Sequence, residues 1–136
     1  MELKSAMQIA ASGMKAQGTR LRVISENLAN ADSTAQVPGG EPYRRKMVTF
    51  QNVLDRQTGQ DRVKVSKIIP DAADFQLHYD PHHPAANSDG YVMLPNVNPL
   101  IEATDMREAS RSYEANLNVI ETSKAMIQKT IDILRS

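Results

Sequence analysis

All seven prolines of this 136-residue chain lie between Pro38 and Pro99. Proline inside a helix removes a backbone donor and clashes with the preceding turn. Residues 1–37 and 100–136 are therefore free to form long helices, and both carry a heptad pattern. Leu3, Met7, Ala10, Met14, Gln17, Leu21, Ile24, Leu28 and Ala31 recur at steps of four and three, with one polar break at Gln17 beside Gly18. Met106, Ala109, Tyr113, Leu117, Ile120, Lys124, Ile127, Ile131 and Leu134 form a second seam. Asn98 followed by Pro99 suits the N-cap and first position of that second helix. Glu108 with Arg111, Glu121 with Lys124 and Asp132 with Arg135 are spaced to pair along its outer face.

Size argues against two ordinary core helices. A helix from Pro99 to Arg135 would run about 55 Å at about 1.5 Å per residue, whereas a compact domain of this length is roughly 37 Å across. The chain has no Trp and only 4 Tyr and 2 Phe to fill a large core. The second seam stays apolar to Leu134, which calls for a partner there.

The middle reads as strands. Met47, Val48, Phe50, Val53 and Leu54 suggest one or two strands from Tyr43 onward. Val63, Val65 and Ile68 alternate with Arg62, Lys64 and Lys67; Phe75, Leu77 and Tyr79 alternate with Gln76 and His78; Tyr91 to Met93 add a short fourth piece. Pro38-Gly39-Gly40, Thr58-Gly59, Pro70-Asp71, Pro81 to Pro84 and Ser88-Asp89-Gly90 separate them as turns. The predicted fold is α+β. Long N- and C-terminal helices, within 1–34 and 98–136, form an antiparallel coiled-coil hairpin, and a small β-rich domain, 35–97, is inserted between them. Facing numbers should then sum to roughly 135. Leu28 would meet Met106 or Ala109, Leu3 would meet Ile131 or Leu134, and Gln17 would lie near Asn116 or Leu117.

Composition narrows the chemistry. Lys plus Arg equals Asp plus Glu at 16 each, and the charge is balanced to within one over 31–98 and over 99–136. A nucleic-acid binder needs a basic excess to displace counterions, so no nucleic-acid partner is expected. The absence of cysteine excludes disulfides, thiolate metal sites and a cysteine nucleophile. No apolar run spans a bilayer, and Gln8, Ser12, Lys15 and Gln17 interrupt any signal-peptide core. Export would use a route that needs no cleaved signal. His78, His82 and His83 cluster near Asp80, but adjacent histidines flanked by Pro81 and Pro84 are badly spaced for a metal, and a turn with surface histidines fits better. No nucleophile elbow, phosphate loop or paired carboxylates appear, so an enzyme is not expected, nor a cofactor or small-molecule substrate. Arg44-Arg45-Lys46 reads either as a solvated strand start or as a contact to an acidic patch on a partner. The residues alone leave an elongated coiled-coil protein with no active site, and one reading of it is a soluble coiled-coil adaptor that binds a partner helix.

Several motifs then point further. Asn27-Leu28-Ala29-Asn30-Ala31 resembles the signature of flagellar rod and hook proteins. Pro42-Tyr43-Arg44-Arg45-Lys46, Asp80-Pro81-His82-His83-Pro84-Ala85, Gly90-Tyr91-Val92, Pro95-Asn96-Val97-Asn98, Asp105-Met106 and Ser110-Arg111-Ser112-Tyr113-Glu114-Ala115-Asn116 resemble the proximal-rod branch of that family. The resemblance covers nearly the whole chain. It implies a structural subunit of the rod, the drive shaft of the bacterial flagellar basal body, located in the periplasm. It implies export through the flagellar type III apparatus with an uncleaved N-terminal signal. It also implies stacking with itself and with FlgB, FlgF and FliE, and with the distal-rod protein FlgG. Independently of the resemblance, the few aromatics and Gly13 and Gly18 in the first helix lead to the expectation that the terminal segments are disordered before assembly and helical after it.

Overall fold

The computed structural model describes residues 2–57 and 59–136. The elements in order are α1 (Leu3–Ala29), β1 (Lys46–Asp55), β2 (Gln60–Pro70), β3 (Gln76–Tyr79), β4 (Tyr91–Leu94) and α2 (Pro99–Arg135). This is the α+β layout expected, with two terminal helices around a β region. The strands form two separate two-stranded sheets, β1-β2 and β3-β4. The chain packs as two compact units. The first holds the residues up to Leu21, Thr49–Lys67 and Arg107–Ser136; the second holds Arg22–Val48 and Ile68–Met106.

α2 starts where its cap requires. Asn98 Oδ1 accepts from Leu100 N at 3.0 Å and Ile101 N at 3.4 Å, and Asn98 O accepts from Glu102 N at 3.0 Å. α1 ends by a different device. Asn30 Nδ2 donates to Glu26 O at 2.9 Å, the same carbonyl that accepts the Asn30 backbone N–H at 3.2 Å, so backbone and side chain of Asn30 close the last turn together.

In the first unit the helices run antiparallel. Gly13 faces Asn116, Gly18 faces Tyr113, and Arg20 pairs with Glu108 at 3.6 Å. The direction matches the sequence expectation; the register does not. Gly13, rather than Gln17, stands against Asn116, one helical turn earlier. The inward line of α2 explains the shift. It runs through Glu102, Met106, Ala109, Tyr113, Asn116, Ile120, Ser123 and Ile127, in strict alternation of four and three. Leu117 and Lys124 in place of Asn116 and Ser123 would keep one more apolar residue but need two successive steps of four. Strict alternation holds the line on one face, so Asn116 and Ser123 turn inward and Leu117 stays exposed. An added Cβ on Gly13 would lie 2.6 Å from Asn116 Nδ2, so glycine makes room for this side chain. Carried to the start of α1, the same one-turn shift moves the position opposite Leu3 from Ile131 towards Ile127. Ile131 and Leu134 are exposed, Leu134 at 80%. The β1-β2 hairpin completes this unit, with Thr49 Oγ1 bonded to Lys67 N and O across the strands at 3.2 and 3.3 Å.

The second unit has its own small core: Val23, Ile24, Ala85, Val92, Pro95 and Val97 are buried. β3 and β4 pair antiparallel, with His78 opposite Val92 and Tyr79 opposite Tyr91. Alternation sends Val92 inward and leaves Leu77, Tyr79 and Tyr91 outside. Gly90 ends the connecting turn at a φ of 86°, with an added Cβ 3.0 Å from the Tyr79 ring and 3.1 Å from Pro81. Glycine is required there on both counts.

Candidate assembly site

The Asn27 signature residue sits at the centre of a buried polar network in the second unit. Asn27 is 1% exposed and Glu102 is 0% exposed. Asn27 Oδ1 accepts from Lys46 N at 3.0 Å and from the Tyr43 hydroxyl at 2.7 Å. Its Nδ2 donates to Lys46 O at 2.9 Å and to Glu102 Oε2 at 3.3 Å. The amide thus reads both backbone groups of Lys46, much as a neighbouring strand would, and all four of its hydrogen-bonding positions are used.

Glu102 is held from the other side by Arg45, whose Nε donates to Glu102 Oε1. Arg45 also reaches Asp71 Oδ2 at 3.1 Å and Asp105 Oδ2 at 3.7 Å. A buried carboxylate survives only if it is paired and hydrogen-bonded, and this one has both. Burial alone would lower Arg45, but the hydrogen bond and charge of Glu102, then those of Asp71, hold it above the usual guanidinium value. Asp71 is held below the ordinary carboxylate range by the Ala73 backbone amide and then by Arg45, against some desolvation. Burial, with Glu26 and Glu102 nearby, pushes the Tyr43 phenol up to about 12.

The remaining motif residues extend this network or shape the turns. Arg44 Nη1 donates to Asp71 O at 2.8 Å and Ala73 O at 3.0 Å, with its guanidinium 4.2 Å from the centre of the Phe75 ring. Asn96 Nδ2 donates to the same two carbonyls, at 3.1 and 3.0 Å, and its Oδ1 accepts from Arg45 N at 2.7 Å. Lys46 Nζ pairs with Glu26 at 2.6 Å. The basic run Arg44-Arg45-Lys46 therefore meets carboxylates and carbonyls of its own chain. His83 Nδ1 accepts from Ala85 N at 3.0 Å, so this histidine fastens the turn between Pro81 and Pro84. Among the described residues no three metal-ligating side chains converge. Asp71 and Glu102 escaped the sequence reading. The available signal was three adjacent cations that needed acids somewhere in the chain.

The seam residues fall into two groups. Ile24 is buried, and Leu3, Met7, Met14, Leu21, Leu28, Met106, Tyr113, Ile120 and Ile127 are half-buried. Leu117, Ile131 and Leu134 are exposed. Outside the seam, Val119, Met126 and Ile133 are also exposed. They recur every seven residues, so they form one apolar stripe along the outer side of α2. Large apolar side chains grouped on an outer face mark a contact surface. No described helix is long and apolar enough to cross a membrane.

Comparison with known proteins agrees with this layout. A family model described as flagella basal body rod protein matches residues 7–35. One described as flagellar basal body rod FlgEFG protein C-terminal matches residues 88–133. The flagellar basal-body rod protein FlgC of Agrobacterium fabrum is 54% identical over 134 residues, covering 98% of this chain and 96% of that protein. The proteins of that name from Salmonella typhimurium and Bacillus subtilis are each 44% identical, over 98% and 93% of this chain and 98% and 95% of their own lengths. The chain belongs to the FlgC family of flagellar basal-body rod proteins, and its role is structural rather than enzymatic.

Proposed function

We propose that this chain is a subunit of the proximal rod, in the periplasm, and that it assembles there through its terminal helices. In this reading, residues 1–34 and 98–136 are the assembly arms and 35–97 is the segment between them. The observation that carries it is the outward apolar stripe Val119, Met126 and Ile133, on a helix whose inner line is already occupied. A stripe of this kind is costly in a monomer and becomes buried when copies stack. Stacking of unlike surfaces on identical subunits does not close, and it generates a helical tube. The chain would meet itself and FlgB, FlgF and FliE, with FlgG further out, after passage through the flagellar type III apparatus without cleavage.

The test replaces Met126 and Ile133 together by Glu. Both side chains are exposed, at 50% and 72%, so the monomer should keep its circular dichroism spectrum and its Tm. Swimming of a strain that lacks its own copy should not be restored. Wild-type swimming with the double substitution would overturn the role given to this stripe.

A further inference from the structure

The zero net charge of this chain conceals a division. The first unit carries 12 Lys and Arg against 7 Asp and Glu, a surplus of five positive charges. The second carries 4 against 9, a surplus of five negative charges. From Ile68 to Met106 there are six acids and no Lys or Arg. Asp71, Glu102 and Asp105 among them engage Arg45. Asp74 and Asp89 are exposed, and they bracket the β3-β4 hairpin.

Each unit also presents an apolar feature beside its surplus charge. In the second unit Leu77 is 64% exposed, with Tyr79 and Tyr91 exposed beside it and their rings edge-on at 5.2 Å. Tyrosines of this kind anchor protein interfaces. In the first unit a groove of about 730 Å³ opens between α1 and the β1-β2 hairpin, lined by Ala11, Ala16, Val53, Val63 and Val65 among others. Lys15 and Lys64, both exposed, stand on its lining. Arg62 in the wall gives Nη2 to Asp55 at 2.9 Å and Gln8 at 3.3 Å, while its Nε is buried without a hydrogen-bond partner among the described residues.

We infer that the basic-rimmed groove of one copy receives the Leu77, Tyr79 and Tyr91 face of the β3-β4 hairpin of a second copy, with Asp74 and Asp89 set against Lys15 and Lys64. This rests on the reading of the chain as a rod subunit and adds the contact that gives the stack a direction. Two surfaces of opposite sign on one chain attract head to tail and repel head to head. That arrangement is heterologous and open-ended.

The experiment is a charge exchange in the full chain. One variant carries Lys15→Glu with Lys64→Glu, the second carries Asp74→Lys with Asp89→Lys, and the third carries all four. Each is expressed in a strain without its own copy, and its amount is measured in isolated basal bodies. Each one-sided variant should fall at least tenfold below wild type. The four-fold variant, with both signs exchanged, should recover most of that loss. Normal incorporation of the one-sided variants overturns the inference. Loss in all three without recovery also overturns it, and assigns the groove to a different rod protein. A second measurement does not depend on the charge variants folding. In basal bodies built from a mixture of Ser12→Cys and Leu77→Cys chains, a short bis-maleimide should link the two chains, which are otherwise cysteine-free; absence of the linked pair contradicts the contact. The Met126 and Ile133 test reads rod function separately. If that test succeeds and the charge exchange fails, only the head-to-tail contact is lost.

Discussion

Arg45 supplies the counter-charge of the Glu102 carboxylate buried in the second unit. Removing one partner of a buried ion pair leaves the other uncompensated, at about 3–5 kcal/mol. Arg45→Ala should therefore lower stability by about that amount, read as a shift in urea midpoint at unchanged slope. Adding Glu102→Leu to Arg45→Ala should recover part of the loss, because no buried charge is then left alone. A cost below about 1 kcal/mol for Arg45→Ala would contradict the buried pairing of Arg45 with Glu102. The same network sets two pH limits. Asp71 is depressed in the folded chain, so its contribution is present above the ordinary carboxylate value and is lost as pH falls through the folded one. Tyr43 is raised to about 12, so its contribution is full below the ordinary phenol value of 10.0 and is lost as pH rises towards 12. Thermal melts across the alkaline range should show stability falling in that window, with a shallower fall in Tyr43→Phe.

At the scale of the elements, Gly13 and the end of α2 make opposite predictions. Gly13→Leu would drive a side chain into Asn116, whose Nδ2 lies 2.6 Å from where even a Cβ would sit. Overpacking of this kind costs about 1–3 kcal/mol, and Asn116→Ala in the same chain should return part of it. Ending the chain at Ser123 removes Met126, Ile131, Ile133 and Leu134, all exposed, and only Ile127 is half-buried. The isolated protein should then lose no more than about 1.5–3 kcal/mol and keep its strand signal in circular dichroism, while swimming is lost. Collapse of the strand signal would place those residues in the core of the monomer. Heptad spacing and the Asn98-Pro99 start made both helices legible, because helix periodicity and capping are local. Alternation did the same for the strands. Register was not legible. Choosing Asn116 over Leu117 depends on what stands opposite, and Gly13 lies about a hundred residues away in sequence. The partners of Asn27 were hidden for the same reason, since Lys46 and Glu102 come together only through tertiary contact.

At the scale of the whole molecule, the charge pattern shows why windows along the chain can mislead. Counted by consecutive thirds the sequence is nearly neutral, yet each compact unit is assembled from separated segments, and the surplus appears only when the charges are sorted by unit. The family motifs were legible as a set because they are short and contiguous. Their physical role, a polar network that joins the end of α1 to β1 and the start of α2, needed coordinates. The central claim is that this chain is built into the rod as one of its structural subunits. The most direct test deletes the chain from its own bacterium and examines detergent-purified basal bodies by mass spectrometry, before and after the full chain is restored. The account predicts that the chain is present in wild-type basal bodies, that rods are missing and cells do not swim in the deletion, and that both return with the restored chain. Basal bodies that lack the chain in wild-type cells, or a deletion strain that swims, would contradict it.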